Sequence, residues 1–248
     1  MTVINPTRST ESLAASPSRS GLPVIAVTGM AFEARIVRGT GVEVVYAARA
    51  DLLERALSAA VVRGCAGIIS FGTAGGLAPD LQPGAVIVAD AVEGPLGHCA
   101  TDSRWSERLA AALMASPVAA KLRRGLIAGV AAPLIGAEDK AMLHRSSGAL
   151  AVDMESHVAG AIAAAHGLPF AVCRAIVDPA WRTLPSAATA GLRDDGTTAI
   201  GPILRELLKQ PSQLGALLQV ASDARAAKAS LVEARRAMGV TGALVSAG

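Results

Sequence analysis

Apolar runs alternate with helix-like stretches along the first two hundred residues of the chain. The runs are apolar throughout instead of alternating with polar residues, which is typical of strands buried on both faces of a sheet. The predicted strands cover 23–28, 42–47, 66–71, 84–89, 125–131, 148–152 and 169–176. Helix-like stretches lie between several of them, over 51–63, 103–115 and 154–166. The alternation predicts an α/β fold, a three-layer α/β/α sandwich around a mostly parallel mixed sheet.

The pattern changes after Gly201, where only helical periodicity remains. Helices are predicted over 202–209 and 212–237, and Pro211 separates them. Apolar residues recur at helical spacing in the second helix, at Leu214, Leu217, Leu218 and Ala221. This spacing predicts an apolar stripe, which can pack on the domain, on a second subunit, beside the substrate or on a membrane surface.

Composition sets the domain organisation. Residues 1–21 are rich in Ser, Thr and Pro and lack the apolar centre of a secretion signal, so they are predicted to be a disordered lead. Residues 22–200 are predicted to form one α/β domain, with 201–248 as a helical appendage packed on it. No run reaches the roughly 18 to 20 apolar residues of a membrane span, so a cytoplasmic location is expected.

Charge and cysteine content exclude other classes of function. The net charge is only +3 and aromatic residues make up 2% of the chain, so no nucleic-acid partner is expected. The three cysteines, Cys65, Cys99 and Cys173, are too scattered for a disulfide framework. The four histidines do not cluster with carboxylates at metal-ligand spacings, so no metal and no other cofactor is predicted.

The candidate chemistry lies directly after predicted strands. Ligands of such sheets bind outside the carboxyl ends of the strands, so side chains at these positions converge. Carboxylates occur at three of these ends, at Glu33, at Asp153 and Glu155, and at Asp178. The glycine-rich segment 72–76 follows a fourth strand and lets backbone N–H groups approach a hydroxyl or an anion. The four strand ends are predicted to form one pocket.

Three motifs in order carry a family resemblance. The segment FGTAGGLAPDLQPGAVIVAD, followed by AVDMES and then CRAIVDPA, resembles the purine nucleoside phosphorylase and nucleosidase superfamily, in particular its methylthioadenosine/adenosylhomocysteine nucleosidase branch. The resemblance runs from about Pro23 to Asp178. It implies a single α/β/α sandwich, a homodimer, a purine nucleoside as substrate and cleavage of its N-glycosidic bond.

The resemblance also implies roles for individual residues. Met154 and Glu155 lie against the ribose, and Thr73 faces the ribosyl or nucleophile side. Asp178 delivers a proton to N7 of the departing purine, and Glu33 activates water. These two are the predicted catalytic residues. The predicted substrate-binding residues are Thr73, Gly75, Gly76, Leu134, Ile135, Asp153, Met154 and Glu155.

The chemistry of glycosidic cleavage makes independent sense of two carboxylates. An oxocarbenium-like transition state needs an acid on the leaving group and a carboxylate for the attacking water. Taken alone, Glu33 is better explained as a first-turn carboxylate of a helix, and Asp178 as a turn residue before Pro179. Their joint presence favours an enzyme over a non-catalytic nucleoside-binding protein.

Departures from the nucleosidase pattern leave the substrate and the nucleophile open. The segment VDPAWRTLPSAATAGLRDDG and the helical tail resemble the hopanoid-associated phosphorylase branch, which implies adenosylhopane as substrate and contact with the periphery of the inner membrane. The alternatives are 5′-methylthioadenosine, adenosylhomocysteine or a general purine nucleoside. Glu33 favours water as nucleophile, whereas Arg35, Arg49 or Thr73 would receive phosphate as co-substrate.

Overall fold

The computed structural model describes residues 21–47, 49–186 and 200–245, so the predicted lead over 1–21 lies outside the described residues except for Gly21. Its strands are β1 (Val24–Thr28), β2 (Val42–Tyr46), β3 (Gly67–Gly76), β4 (Val86–Gly94), β5 (Gly97–Ala100), β6 (Leu122–Gly129), β7 (Ala151–Asp153) and β8 (Phe170–Asp178). Its α-helices are α1 (Ala31–Val37), α2 (Ala50–Val62), α3 (Ser103–Met114), α4 (Ala137–Ser147), α5 (Ser156–Ala165), α6 (Ile200–Lys209) and α7 (Leu214–Val240).

All of these strands belong to one mixed sheet. The order is β2-β1-β3-β7-β6-β4-β5, and β8 pairs with both β3 and β4. Strand β3 is parallel to β1 and β8, whereas β4 is antiparallel to β8. The register between β3 and β8 shifts after Ala74, so that Asp178 lies opposite Gly75. A shift of this kind next to a cavity re-aims a strand-end side chain.

The helices cover both faces of the sheet, as the continuous apolar runs predict. Alternate residues of β1 serve different clusters: Ile25 and Val27 pack on the side of α2 and α5. Val24 and Ala26 pack on the side of α1, α3 and α7. A strand buried on both faces has no polar side, which is why its sequence is apolar throughout. The predicted α/β/α fold with a mixed sheet is confirmed.

Helix α7 is divided into an exposed first half and a buried second half. The second half buries Ala227, Leu231, Ala234 and Met238 in the core, and the segment after the helix accepts a 2.8 Å hydrogen bond from Trp105 Nε1 at the carbonyl oxygen of Ala243. The predicted stripe lies in the first half, where Leu214 and Leu218 are 49% and 62% exposed. The tail is therefore part of the core only from about residue 227 onward.

Two elements were missed by the sequence pattern, and strand β3 is longer than predicted. Strand β5 is a short edge strand that is largely exposed, and α4 has only Lys140 fully buried, so neither shows an apolar periodicity. The glycine-rich segment 72–76 was predicted to follow the strand over 66–71, but it continues that strand as part of β3, because its backbone pairs with β7 and β8. Among the described residues, no helix is long and apolar enough to cross a membrane.

Candidate active site

A cavity of about 220 Å³ opens where β1, β3, β7 and β8 end. The predicted residues that line it are Glu33, Thr73, Gly75, Leu134, Asp153, Met154, Glu155 and Asp178. Gly76 and Ile135 do not line it. A side chain at Gly76 would instead meet Ile176 and the backbone of Pro179, and Ile135 is 42% exposed, with its carbonyl accepting the Leu184 N–H at 3.1 Å. The structure thus brings the four strand ends together.

Glu33 is held from two elements at once. Its Oε2 accepts the N–H groups of Gly29 and Met30 at 3.1 and 3.0 Å, as a carboxylate at the third position of a helix does. Its Oε1 accepts both the N–H and the hydroxyl of Thr73 at 2.7 Å. Burial raises the pKa of Glu33, and Arg174 and these hydrogen bonds oppose that rise. Glu33 is therefore both a first-turn carboxylate of α1 and a residue of the cavity wall.

Arg174 is the central cation beneath the cavity, and the sequence analysis missed it. It is fully buried in β8 and forms ion pairs with Asp153 Oδ2 at 2.8 Å and Glu155 Oε2 at 3.1 Å. It also donates to Ser70 Oγ at 2.6 Å and to the carbonyl oxygen of Thr73 at 3.2 Å. An arginine within the apolar run PFAVCRAI was the available signal, because a buried charge requires partners.

Asp153 orients the start of α5. Its Oδ1 accepts the backbone N–H of Ser156 at 2.9 Å and of Glu155 at 3.2 Å. Ser156 Oγ donates in turn to Asp153 Oδ2. Together with the Arg174 ion pair, these bonds occupy both oxygens of Asp153, so its contribution to the site is to fix the backbone that carries Glu155.

Glu155 is a third carboxylate of the cavity wall whose pKa is raised. Burial raises the pKa of Glu155 to about 7, with Arg174 opposing the rise and Asp153 and Glu33 adding to it. Gly29 makes room for this side chain, since a Cβ at that position would lie 2.3 Å from Glu155 Oε1. Glu155 therefore gains or loses its proton close to neutral pH.

Asp178 ends β8 and is 8% exposed. Its Oδ2 forms an ion pair with Lys140 Nζ from α4, a fully buried lysine. Burial raises the pKa of Asp178, and the Lys140 ammonium opposes that rise. Lys140 gave no signal in the sequence, because a lysine in the polar stretch AEDKAMLHR is ordinarily exposed to solvent.

Of the candidate phosphate ligands, Thr73 lines the cavity and the two arginines do not. Arg49 lies outside it and pairs with Asp51 at 2.9 Å on the surface, and Arg35 is exposed on α1. Within the described part of the chain, the residues that line the cavity include four carboxylates and no lysine or arginine. The electrostatic character of the wall is thus acidic, with Arg174 and Lys140 behind it.

The fold and the site together define an α/β/α protein with a carboxylate-lined cavity at the carboxyl ends of its strands. A family model described as the phosphorylase superfamily matches residues 20–200, and the chain belongs to that superfamily. The membership confirms the prediction of an enzyme that cleaves nucleoside N-glycosidic bonds.

Solved structures share the fold at low sequence identity. A mutant of the Helicobacter pylori nucleosidase MTAN, with 5′-methylthioadenosine in its active site, is 16% identical with a TM-score of 0.61, covering 90% of this chain and 98% of that one. The futalosine hydrolase of Helicobacter pylori is 17% identical with a TM-score of 0.58, covering 76% and 98%. A putative 5′-methylthioadenosine/S-adenosylhomocysteine nucleosidase from Francisella philomiragia is 18% identical with a TM-score of 0.60, covering 89% and 98%.

Proposed function

We propose that this protein hydrolyses the N-glycosidic bond of an adenine nucleoside. The observation that carries the proposal is that two buried carboxylates with raised pKa, Glu33 and Asp178, line the same cavity from separate strand ends. A raised pKa suits both tasks, because it lets Asp178 hold a proton and makes Glu33 a stronger base.

Hydrolysis in this site moves one proton onto the purine and one away from the attacking water. The C1′–N9 bond breaks and its electron pair goes to the purine, whose N7 takes a proton from Asp178. The water oxygen bonds to C1′, and Glu33 accepts a proton from that water. Of the donors on Glu33, only the Thr73 hydroxyl can rotate away, so it is the one that yields its place on Oε1 to the water.

Water is the proposed nucleophile because of the charge of the cavity wall. Phosphate recognition ordinarily uses arginine, lysine or a nest of backbone N–H groups. The described cavity wall has carboxylates instead, and Arg174 is already paired with Asp153 and Glu155. An additional dianion would be repelled, because the four carboxylates of the wall outnumber the two buried cations behind it.

We propose adenosylhopane as the substrate, with 5′-methylthioadenosine or adenosylhomocysteine as an equally fitting alternative. The resemblance of the segment after Asp178 to the hopanoid-associated branch motivates the first choice. Exposed apolar residues adjacent in sequence to the cavity wall support it: Ile135 follows the lining residue Leu134 and is 42% exposed, and Trp181, in the segment between the lining residues Asp178 and Leu184, is 49% exposed. Exposed apolar side chains suit a nucleoside that bears a lipid.

The proposed substrate and nucleophile can be tested by incubating the purified protein with adenosylhopane, 5′-methylthioadenosine and adenosine. Each incubation is made with and without phosphate. Adenine release that is unaffected by phosphate, with free sugar as the other product, is expected. Phosphate-dependent release of a sugar 1-phosphate would assign phosphorolysis instead. Tight binding without release from any of the three would assign a non-catalytic nucleoside-binding protein.

We further propose a homodimer in the cytoplasm that touches the inner membrane through the exposed half of α7. Leu214 and Leu218 are exposed there on one helix face. Removing the whole tail is not a usable test, since Leu231 and Met238 belong to the core. Replacing Leu214 and Leu218 by Ser should weaken sedimentation with anionic vesicles, whereas Val240→Ser, at a more exposed apolar residue at the far end of α7, should not.

A further inference from the structure

Lys140 is a fully buried lysine in a helix whose other described side chains are half-buried or exposed. Burial of an ammonium group is costly unless its donors are paired. Its Nζ donates to Asp178 Oδ2, to the Arg182 carbonyl oxygen at 2.9 Å and to the Pro179 carbonyl oxygen at 3.3 Å. An ammonium has three N–H donors, so all three are used by the end of β8 and the loop that follows it.

The three acceptors belong to one short segment. The loop begins directly after Asp178, and the Arg182 N–H bonds to the Pro179 carbonyl oxygen at 3.0 Å, which closes a turn. Further along, Leu184 lines the cavity. Lys140 therefore ties the carboxyl group at the strand end to the loop that forms one wall of the cavity.

Lys140 also distinguishes the two oxygens of the carboxyl group. It holds Oδ2, and Gly75 lies opposite, where an added Cβ would come within 3.3 Å of Oδ1. Oδ1 is consequently the oxygen that the lysine leaves available. Because a buried cation fixes one oxygen of the Asp178 carboxyl group, the orientation of the second oxygen in the cavity is fixed as well.

We infer that Lys140 is a positioning residue that holds Oδ2 of Asp178 and the 179–182 turn, so that Oδ1 delivers the proton to the leaving purine. This inference rests on the proposed function. The alternative is that Lys140 only fastens α4 to the loop and leaves proton delivery unaffected, and the two can be separated by experiment.

The charge of Lys140 has a further consequence for pH dependence. The charged groups that act on the Asp178 carboxyl are Lys140 from α4 and Asp223 from α7, and Asp223 is paired with Arg182 at 2.8 Å. The Lys140 ammonium favours the ionised carboxyl, while burial and Asp223 oppose ionisation. Removing the ammonium should therefore move deprotonation of Asp178, and the alkaline limb of the pH–rate profile, to higher pH.

The first test compares leaving groups in Lys140→Met. Adenine must be protonated as it leaves, whereas 4-nitrophenolate leaves without a proton, so 4-nitrophenyl riboside reports everything except proton delivery. We expect kcat for adenine release to fall about 10²-fold with little change in KM, and the rate on the nitrophenyl riboside to stay near wild type. Equal losses on both substrates would overturn the inference.

The controls keep the test decisive. Lys121→Met, at an exposed lysine, should leave both rates unchanged. Lys140→Arg retains the cation and should keep the alkaline limb closer to its wild-type position than Lys140→Met does. If Lys140→Met does not fold, Lys140→Gln, which keeps a donor but no charge, carries the same comparison.

A measurement without turnover separates this inference from the proposed function. The carboxyl carbon of Asp178 can be titrated by ¹³C NMR and assigned with Asp178→Asn. An upward shift of its pKa in Lys140→Met supports the contact even if wild-type protein releases no purine from any nucleoside, an outcome that would refute only the proposed function. An unchanged titration would refute the role of Lys140.

Discussion

The two proposed catalytic carboxylates are held in different ways. Glu33 accepts hydrogen bonds from Gly29, Met30 and Thr73, all of them donors built into strand ends and the start of a helix. Asp178 is held by a single long side chain, Lys140, which reaches it from another helix. Both oxygens of Glu33 face hydrogen-bond donors, so an amide NH₂ at this position would face another donor. At Asp178, Lys140 holds only Oδ2, so an amide can direct its oxygen to the lysine and its NH₂ elsewhere. Replacement by an amide is therefore a cleaner test at Asp178.

The largest expected effect is that of Asp178→Asn on turnover. The amide oxygen can still accept from Lys140, so the fold and nucleoside binding should persist. The amide cannot supply a proton, so single-turnover purine release should fall about 10²- to 10⁴-fold. Turnover close to that of wild type would mean that another group protonates the purine.

Arg174→Met should produce the largest loss of stability. It leaves Asp153 and Glu155 buried without their cation, which costs about 3–5 kcal/mol of the free energy of unfolding. Arg124→Met is the matched control, because Arg124 pairs with Asp90 at the surface and such pairs contribute about 0–1 kcal/mol. Urea unfolding at pH 8 measures both, and similar losses in the two variants would contradict the central role of Arg174.

Glu33→Gln should combine a kinetic and a structural effect. Every partner of Glu33 is a donor, so the amide nitrogen must face at least one N–H group and leave it unpaired, at a cost of about 1–3 kcal/mol. Loss of the base should lower hydrolysis about 10²-fold beyond any change in folded fraction. A stability equal to that of wild type would show that the described hydrogen bonds are not all made in solution.

The sequence predicts the strands and the carboxylates of the cavity well, and it does so for one reason. Strands buried on both faces must be apolar, so Glu33, Glu155 and Asp178 stand out where those runs end. It does not predict Arg174 or Lys140 as partners, since their acceptors come from distant parts of the chain. It also misses α4, because a helix that buries a lysine instead of an apolar face has no apolar periodicity.

The smallest expected effect is on the pH dependence of the free energy of unfolding, and it comes from Glu155. This carboxyl group is held neither by the donors around Glu33 nor by Lys140. Its pKa is raised from 4.5 to about 7 in the folded protein, chiefly by burial and against the effect of Arg174. Between these two values the folded state keeps a proton that the unfolded chain has released. The free energy of unfolding should therefore fall as the pH rises through this window.

Glu155→Gln removes this contribution, because an amide does not titrate. Urea unfolding of both proteins at pH 5 and pH 8 should show the wild type losing about 2–3 kcal/mol relative to the variant over that interval. Asp178 also has a raised pKa and adds a slope of the same sign, but it does so in both proteins and cancels in the difference. Glu33 interacts with Glu155, so the difference measures the titration of Glu155 together with its effect on Glu33. Parallel pH profiles for wild type and variant would show that Glu155 is already ionised at pH 5, so that Arg174 outweighs burial.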